Sequence, residues 1–375
     1  MAPPGSATAG LTEAELRATA AKQLAAFVAV AVATCLVVQG IGHVSERVGR
    51  ASLYHARLRA LPRVLPAWVA NEQPAVLVLG ASSVEQEIFT EVIDEELAKA
   101  GRPERSYNLG INSMTSELLP TVVRFVTAAY RRAGKRPAAI VLEMSPDWFT
   151  WEPNRRMELD YLAHWGTPDE LLSLVWQSPE EGLRLLGRRY ALGGFSGDYI
   201  TFRFTRWLDT DVPRYFDDLT ESQRVVDAWR SPPTMTVENH GSPRDPEHVA
   251  ELQRFAELLP PARQAFIDEE VAEIGKPFRE DAVKGAIAAI REARAHADKV
   301  FLLFVPRNPC SLPAEFTERA DRLIARFVKE TGASLLDFRT AEKNCDEFED
   351  LLHVLPLTAG PRFSRALGER LAEQL

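Results

Sequence analysis

The pattern of apolar and polar positions first predicts a strand followed by a helix around residue 80. Residues 75–80, AVLVLG, form a continuous apolar run of the kind buried in parallel sheets. The next segment, VEQEIFTEVIDEELAKAG, has helical periodicity and ends at Gly101, a typical helix stop. Together the two segments predict a βα unit.

The same alternation recurs along the chain. Further strand patterns are SYNLG (106–110), AAIVLEM (138–144), KVFLLFVP (299–306) and ASLLDF (333–338). Helical patterns separate them, and a last helix is expected from about Thr358 to Gln374. Five strands with intervening helices, joined by right-handed crossovers, predict an α/β fold: a doubly wound five-strand parallel sheet in flavodoxin-like order.

The alternation stops between residues 147 and 279, a segment with helix-like pieces and six of the seven tryptophans. Each Trp alone most simply fills a core, whereas together they suit the wall of a sugar or acyl pocket. Residues 231–248 are polar and contain prolines, which favours an exposed loop. The predicted organisation is an N-terminal tail (1–22), a transmembrane anchor (23–42), a helical connector (43–73), an α/β domain (74–146 and 280–375) and a helical insertion (147–279).

The anchor is predicted from QLAAFVAVAVATCLVVQGIG, residues 23–42, which contain no charged side chain. About 20 such residues span the hydrocarbon core of a bilayer. A cleaved signal peptide and a buried core helix are the alternatives, and the length of the run and its apolar character on all sides favour an uncleaved single-pass anchor. More arginines follow the run than cations precede it, which taken alone favours a cytoplasmic domain.

Composition narrows the class of protein. With 375 residues, 46% hydrophobic and 26% charged, the chain can bury one large core or two modest ones. A formal net charge of -9 without a dense Lys/Arg stripe argues against a nucleic-acid partner. The three cysteines lack the close spacing of a structural zinc site. We therefore expect neither a metal nor another cofactor.

Candidate chemistry lies at two remote points of the chain. Ser82 and Ser83 follow the first strand directly, and Asp350 and His353 follow the last strand. Because the carboxyl ends of parallel strands share one edge of the sheet, these side chains are expected to lie close together. A serine there often only caps a helix. With an imidazole to accept its proton and a carboxylate to orient that imidazole, it becomes a nucleophile.

These residues resemble the motifs of the SGNH, or GDSL-like, hydrolase superfamily. Gly80-Ala81-Ser82 is similar to the first block, with Ala81 in place of the acidic residue, and Asp350-Leu351-Leu352-His353 matches the last. The resemblance implies a triad of Ser82, His353 and Asp350, and an oxyanion donor at Gly110.

The third block, an asparagine after strand three that binds the oxyanion, is absent from LEMSPDWF. Losing one such donor costs roughly 3 kcal/mol of transition-state stabilisation. Asn112, Arg307 and Asn308 are the candidate substitutes, and Asn154 is a weaker one.

The resemblance implies an esterase or O-acyltransferase that acts on acylated carbohydrate or another small ester. It also implies a possible multi-span membrane acyltransferase as partner, and we expect the large domain outside the cytoplasm, with cell-envelope substrates. A catalytically inactive binding or assembly module and a cytoplasm-facing lipid esterase are the alternatives.

Cys310 and Cys345 both fall in loops that follow strands, at the expected reactive edge. In an oxidising compartment a disulfide there would clamp the loop that carries Asp350 and His353. The alternative is two unrelated thiols.

Overall fold

The computed structural model describes residues 20–34, 36–37, 56–111, 114–152, 155–186, 235–242, 270–348, 350–355 and 358–375. Its centre is a five-stranded sheet in the order β2-β1-β3-β4-β5, in which every neighbouring pair is parallel. The strands are β1 Ala75–Gly80, β2 Arg105–Gly110, β3 Ala139–Glu143, β4 Lys299–Phe304 and β5 Ser334–Asp337. The predicted parallel α/β sheet is confirmed.

Helices cover both faces of this sheet. They are α1 Ala56–Ala70, α2 Ser82–Glu87, α3 Thr90–Lys99, α4 Leu119–Arg132, α5 Arg155–Trp165, α6 Pro168–Gln177, α7 Pro179–Leu186, α8 Glu280–His296, α9 Ala314–Thr331 and α10 Ala359–Gln374. Short 3-10 turns occur at Pro146–Phe149 and Cys345–Glu347.

Alternate residues of β1 lie in two different cores. Leu77 and Leu79 belong to a large cluster with α1, α4 and α8, whereas Val76 and Val78 pack in a second cluster with α3 and α10. Successive side chains of a strand point to opposite faces of the sheet, so a strand buried on both faces must be apolar throughout. That requirement explains why AVLVLG is uninterrupted.

The helix predicted after β1 is divided into two. Ile88 and Phe89 have extended backbone between α2 and α3, and both side chains are buried. The amide of Phe89 donates to Ser364 Oγ at 2.9 Å, and Ser364 donates to the carbonyl of Glu87 at 3.0 Å. Contacts with α10, which are remote in sequence, therefore override the local helical periodicity.

Helix α1, within the predicted connector, packs into the main core. Leu58, Leu61 and Trp68 are almost fully buried. The guanidinium of Arg57, itself 2% exposed, donates to the carbonyl of Gly110 at 2.6 Å and to Asn108 Oδ1 at 3.2 Å. These contacts join α1 to the carboxyl end of β2.

Residues 235–242, the described part of the expected exposed loop, lie along the edge strand β2. Met235 and Ser242 are buried, and the amide of Asn108 donates to the carbonyl of His240 at 2.8 Å. An unpaired strand edge invites association with other chains, and this segment occupies that edge. The expectation of a simple exposed loop is wrong for these residues.

Helical backbone begins at residue 20, in the predicted N-terminal tail, and covers residues 23–34 and 36–37 of the predicted anchor, whereas residues 35 and 38–42 lie outside the described residues. Within the part of the chain that the structure describes, no helix combines the length and the apolar character needed to cross a membrane.

Candidate functional site

The first strand ends in a tight turn that presents Ser82 at the carboxyl edge of the sheet. Gly80 ends β1, and Ser82 begins α2. A Cβ atom on Gly80 would collide with the side chains of Val84 and Glu143, so only glycine fits there. Glu143 ends β3 and accepts hydrogen bonds from the Ala81 amide at 2.7 Å and the Ser83 hydroxyl at 2.5 Å.

The loop after β5 brings its imidazole to this turn. Ser82 Oγ lies 2.6 Å from His353 Nε2, and His353 Nδ1 lies 2.7 Å from Asp350 Oδ2, although 271 positions separate Ser82 from His353. Because an ionised carboxylate only accepts hydrogen bonds, Nδ1 carries a proton, and in the neutral imidazole Nε2 is then the atom that can accept from the serine. The three residues form a continuous hydrogen-bonded relay.

The charges of this relay support one another. Burial lowers the pKa of His353, but the nearby Asp350 carboxylate and its hydrogen bond raise it more, and the net pKa lies well above the ordinary value. For Asp350, burial raises the pKa, whereas the His353 charge and hydrogen bonds, including those from two backbone amides, lower it below the ordinary value. The arrangement stabilises an imidazolium, the species formed when an imidazole takes a proton.

Four side chains hold the loop that carries His353. Glu87, at the end of α2, accepts from the Val354 amide at 3.1 Å, and Glu270 accepts from the Leu351 amide at 3.0 Å. The other two hold it from the loop after β4: Asn308 donates to the carbonyl of Asp350 at 3.1 Å, and Arg307 donates to that of Leu352 at 3.2 Å. Asn308 thus supports the loop and does not line the pocket, contrary to its predicted substrate-binding role.

A pocket with a volume of about 160 Å³, partly open to solvent, lies beside Ser82 and His353. Its other lining residues are Ala81, Ser83, Met114, Glu143, Ser145, Asp147, Trp148, Trp151, Glu270, Arg307 and Leu352. The lining combines charged and hydroxylated side chains with apolar ones, among them the indoles of Trp148 and Trp151.

Buried charges dominate that lining. Arg307 pairs with Asp147 at 2.9 Å, and both side chains are almost completely buried. Burial raises the pKa of Glu143, although the Ser83 and Ala81 hydrogen bonds and the charge of Arg307 partly offset it. Burial, together with the neighbouring Asp350 charge, raises the pKa of Glu270 to about 8. Both effects favour the neutral form of the Glu270 carboxyl.

Gly110 has a different role from the predicted one. Its amide donates to Asn108 Oδ1 at 2.8 Å, so the predicted oxyanion donor is already engaged, and Gly110 does not line the pocket. A Cβ atom at this position would collide with the backbone of Glu85, which explains the glycine by close packing of α2 on β2. Asn112 and Asn154, also predicted as candidate donors, lie outside the described residues.

Cys310 and Cys345 are joined by a disulfide, with their Cα atoms 6.0 Å apart. The bridge links the loop after β4 to the 3-10 turn that precedes Asp350. Together with the hydrogen bonds from Arg307 and Asn308, the disulfide joins the loop after β4 to the loop that carries His353.

Sequence reasoning missed Glu143 and Glu270 as members of the site. Glu143 had a visible signal, since a carboxylate ends an otherwise apolar strand at the reactive edge. Glu270 had none, because its neighbourhood in the sequence has no strand or motif that would locate it.

Comparison with protein-family models and with curated proteins finds no match to the chain. Among the described residues, no group of three or more His, Cys, Asp or Glu side chains is arranged to hold a metal ion. Fold and site define an α/β protein with a parallel five-stranded sheet, in which a serine, a histidine and an aspartate are hydrogen-bonded in series at the carboxyl edge.

Proposed function

We propose that the protein is a serine acyl-transfer enzyme, an esterase or O-acyltransferase with an SGNH-like mechanism. Ser82 attacks an ester carbonyl while His353 takes its proton, and the imidazolium then protonates the departing alcohol. The acyl-serine is released by attack of water, which gives hydrolysis, or of an alcohol, which gives transfer. Asp350 holds the imidazole in the required tautomer throughout.

One observation carries this proposal: the 2.6 Å and 2.7 Å contacts that link Ser82, His353 and Asp350 in series beside an open pocket. A serine that only caps a helix does not need an imidazole at hydrogen-bonding distance. The partial exposure of His353 and Asp350, 16% each, keeps the relay in reach of a substrate.

Arg307 is the best candidate for stabilising the oxyanion. Its side chain is 3% exposed and lines the pocket, and its Nε has no hydrogen-bond partner among the described residues. A buried cationic donor directed at developing negative charge stabilises a tetrahedral intermediate much more than the same donor in water does. This assignment replaces the role predicted for Gly110.

The pocket suits a short acyl group on a polar acceptor. Its small volume disfavours a long acyl chain, its charged and hydroxylated side chains can bind a polar acceptor, and the partly buried Trp151 offers a surface on which a sugar ring can pack. We extend the proposal to acyl esters of cell-envelope carbohydrate, with the domain outside the cytoplasm. The disulfide supports an oxidising compartment.

Two further parts of the proposal rest on the sequence. They are attachment to a membrane through the apolar run at residues 23–42, and cooperation with a multi-span membrane acyltransferase. Protease treatment of spheroplasts tests the topology, since an external domain is digested before the membrane is lysed. Protection until lysis would reject the external placement.

The enzymatic proposal is tested by fluorophosphonate labelling and by hydrolysis of short acyl esters. We expect wild-type protein to be labelled at Ser82, and Ser82→Ala to lose both labelling and hydrolysis. Ser334→Ala, an exposed serine of β5, is the matched control and should behave as wild type. Unchanged ester turnover in Ser82→Ala would reject the mechanism.

A non-catalytic binding or assembly module is the second candidate. It is favoured by the engaged amide of Gly110 and by the absence of a third-block asparagine. A wild-type protein that binds acylated glycan but resists fluorophosphonate over the whole pH range would support this candidate.

A further inference from the structure

A single carboxylate holds both flanks of Ser82. Glu143 lies at the end of β3, next to β1 in the sheet, and is fully buried. One of its oxygens accepts from the amide of Ala81, and the other accepts from the hydroxyl of Ser83. These two partners immediately precede and follow Ser82, so one rigid group fixes the turn on both sides.

Burying the Glu143 carboxylate costs free energy, so the hydrogen bonds that it accepts must compensate for its lost hydration. Burying an ionisable group at the end of an apolar strand is unfavourable unless hydrogen bonds compensate it. Gly80 is part of the same arrangement, because any larger residue there would collide with Glu143. Two positions on neighbouring strands are thus fitted to each other around the turn.

We propose that Glu143 is a positioning residue that sets the conformation of the turn at residues 81–83 and so keeps Ser82 Oγ within reach of His353. This inference rests on the proposed acyl-transfer function, and deepens it. The SGNH resemblance would place an oxyanion-donating asparagine after strand three. Glu143 accepts hydrogen bonds from the turn, so it has a different task.

The test compares two substitutions of similar size. In Glu143→Gln the amide oxygen can accept from Ala81, and the amide NH₂ can donate to Ser83, whose hydroxyl rotates to accept. Glu143→Leu keeps the volume and removes both hydrogen bonds. Glu96→Gln is the matched control, since Glu96 is also a buried carboxylate, 8% exposed, but lies on α3 and pairs with Lys99 and Arg365.

If Glu143 acts through geometry and not through charge, the loss of rate should be large in Glu143→Leu, small in Glu143→Gln and absent in Glu96→Gln. A displacement of about 1 Å at a reacting atom costs about 100-fold in rate, so Glu143→Leu should lower kcat and the phosphonylation rate by about that factor. The KM and the pH midpoint set by His353 should not change. Glu143→Gln should lose no more than about tenfold, the value of one ordinary hydrogen bond, and Glu96→Gln should match wild type.

Rates are expressed per folded molecule, with thermal unfolding measured alongside, because a purely structural role would make the loss follow the unfolded fraction. Wild-type reactivity in Glu143→Leu would overturn the proposal. So would an equal loss in Glu143→Gln and Glu143→Leu at unchanged stability, which would show that charge and not geometry matters.

Two further measurements keep the inference testable. If Glu143→Leu does not fold, Ser83→Ala removes one of the two hydrogen bonds and should slow phosphonylation about tenfold; a wild-type rate in this variant would overturn the positioning role.

If wild-type protein is inert to fluorophosphonate, the proposed function fails, and amide hydrogen exchange at Ala81 then decides the positioning role. Faster exchange in Glu143→Leu but not in Glu143→Gln supports it, and equal protection in all three proteins overturns it.

Discussion

Replacing Asp350 by asparagine tests the relay at its third member with almost no change in shape. Asp350 Oδ1 accepts from the amides of Leu352 and His353, and Oδ2 accepts from His353 Nδ1. An asparagine can keep its oxygen on the two amides, but its NH₂ group then faces Nδ1. The imidazole must place its proton on Nε2, where it can no longer accept from Ser82.

The expected loss can be estimated from the charge that is removed. Unit charges about 4 Å apart, at an effective dielectric constant of about 20, attract each other by about 4 kcal/mol. His353 and Asp350 are in contact at 2.7 Å and only 16% exposed, so solvent screens this attraction little. At about 1.4 kcal/mol for each tenfold change, Asp350→Asn should lower kcat about 1,000-fold.

The assay is hydrolysis of a short acyl ester across a range of pH. Since the Asp350 carboxylate raises the pKa of His353, its removal should also shift the acidic limb of the profile to lower pH. Asp346→Asn, an exposed position in the preceding 3-10 turn, is the control and should retain wild-type kinetics. A variant Asp350→Asn that keeps more than a tenth of wild-type kcat, with an unmoved pH midpoint, would refute the reasoning.

Two further predictions concern the wild-type relay and the disulfide. His353 accepts a proton only when neutral and its pKa is raised, so kcat/KM should increase with pH through a midpoint above 6.5; a midpoint below this value, measured with a short ester, would contradict the assigned pKa direction. Removing the bridge in Cys310→Ser/Cys345→Ser, which closes a loop of 35 residues, should lower the free energy of unfolding by about 4 kcal/mol. Urea unfolding under oxidising conditions measures this loss, and equal stability of the variant and wild type would show that the bridge adds nothing.

The sheet could be predicted from the sequence because burial on both faces leaves a direct signal. Val76 to Leu79 must all be apolar, since alternate residues lie in different cores. Two further observations predict that Ser82 and His353 lie close together. Both residues follow strands, and the carboxyl ends of parallel strands share one edge of the sheet. The relay residues could thus be named without coordinates, although 271 positions separate the serine from the histidine.

Other features depend on contacts that no local pattern records. The break between α2 and α3 follows from Ser364 on α10, and the true partner of the Gly110 amide is the side chain of Asn108. The burial of Arg57 depends on β2 and on residues 235–242, which lie far away in the chain. A glycine after strand two therefore suggested an oxyanion donor, whereas packing against the backbone of Glu85 explains it.

The relay residues can be predicted from the sequence, whereas the side chains that hold them in place cannot. Strand ends bring Ser82 and His353 to the same edge, but a relay of hydrogen bonds needs atoms held to within about half an ångström. That accuracy comes from Glu143 on the serine side and from Glu87, Asn308 and Glu270 on the histidine side. Each is hydrogen-bonded to the backbone of a relay residue or of its neighbour in the chain. Such supports can come from any part of a chain that reaches the edge, so their positions follow no motif. A sequence motif therefore locates the relay, and the surrounding buried carboxylates and amides determine whether it is assembled well enough to react.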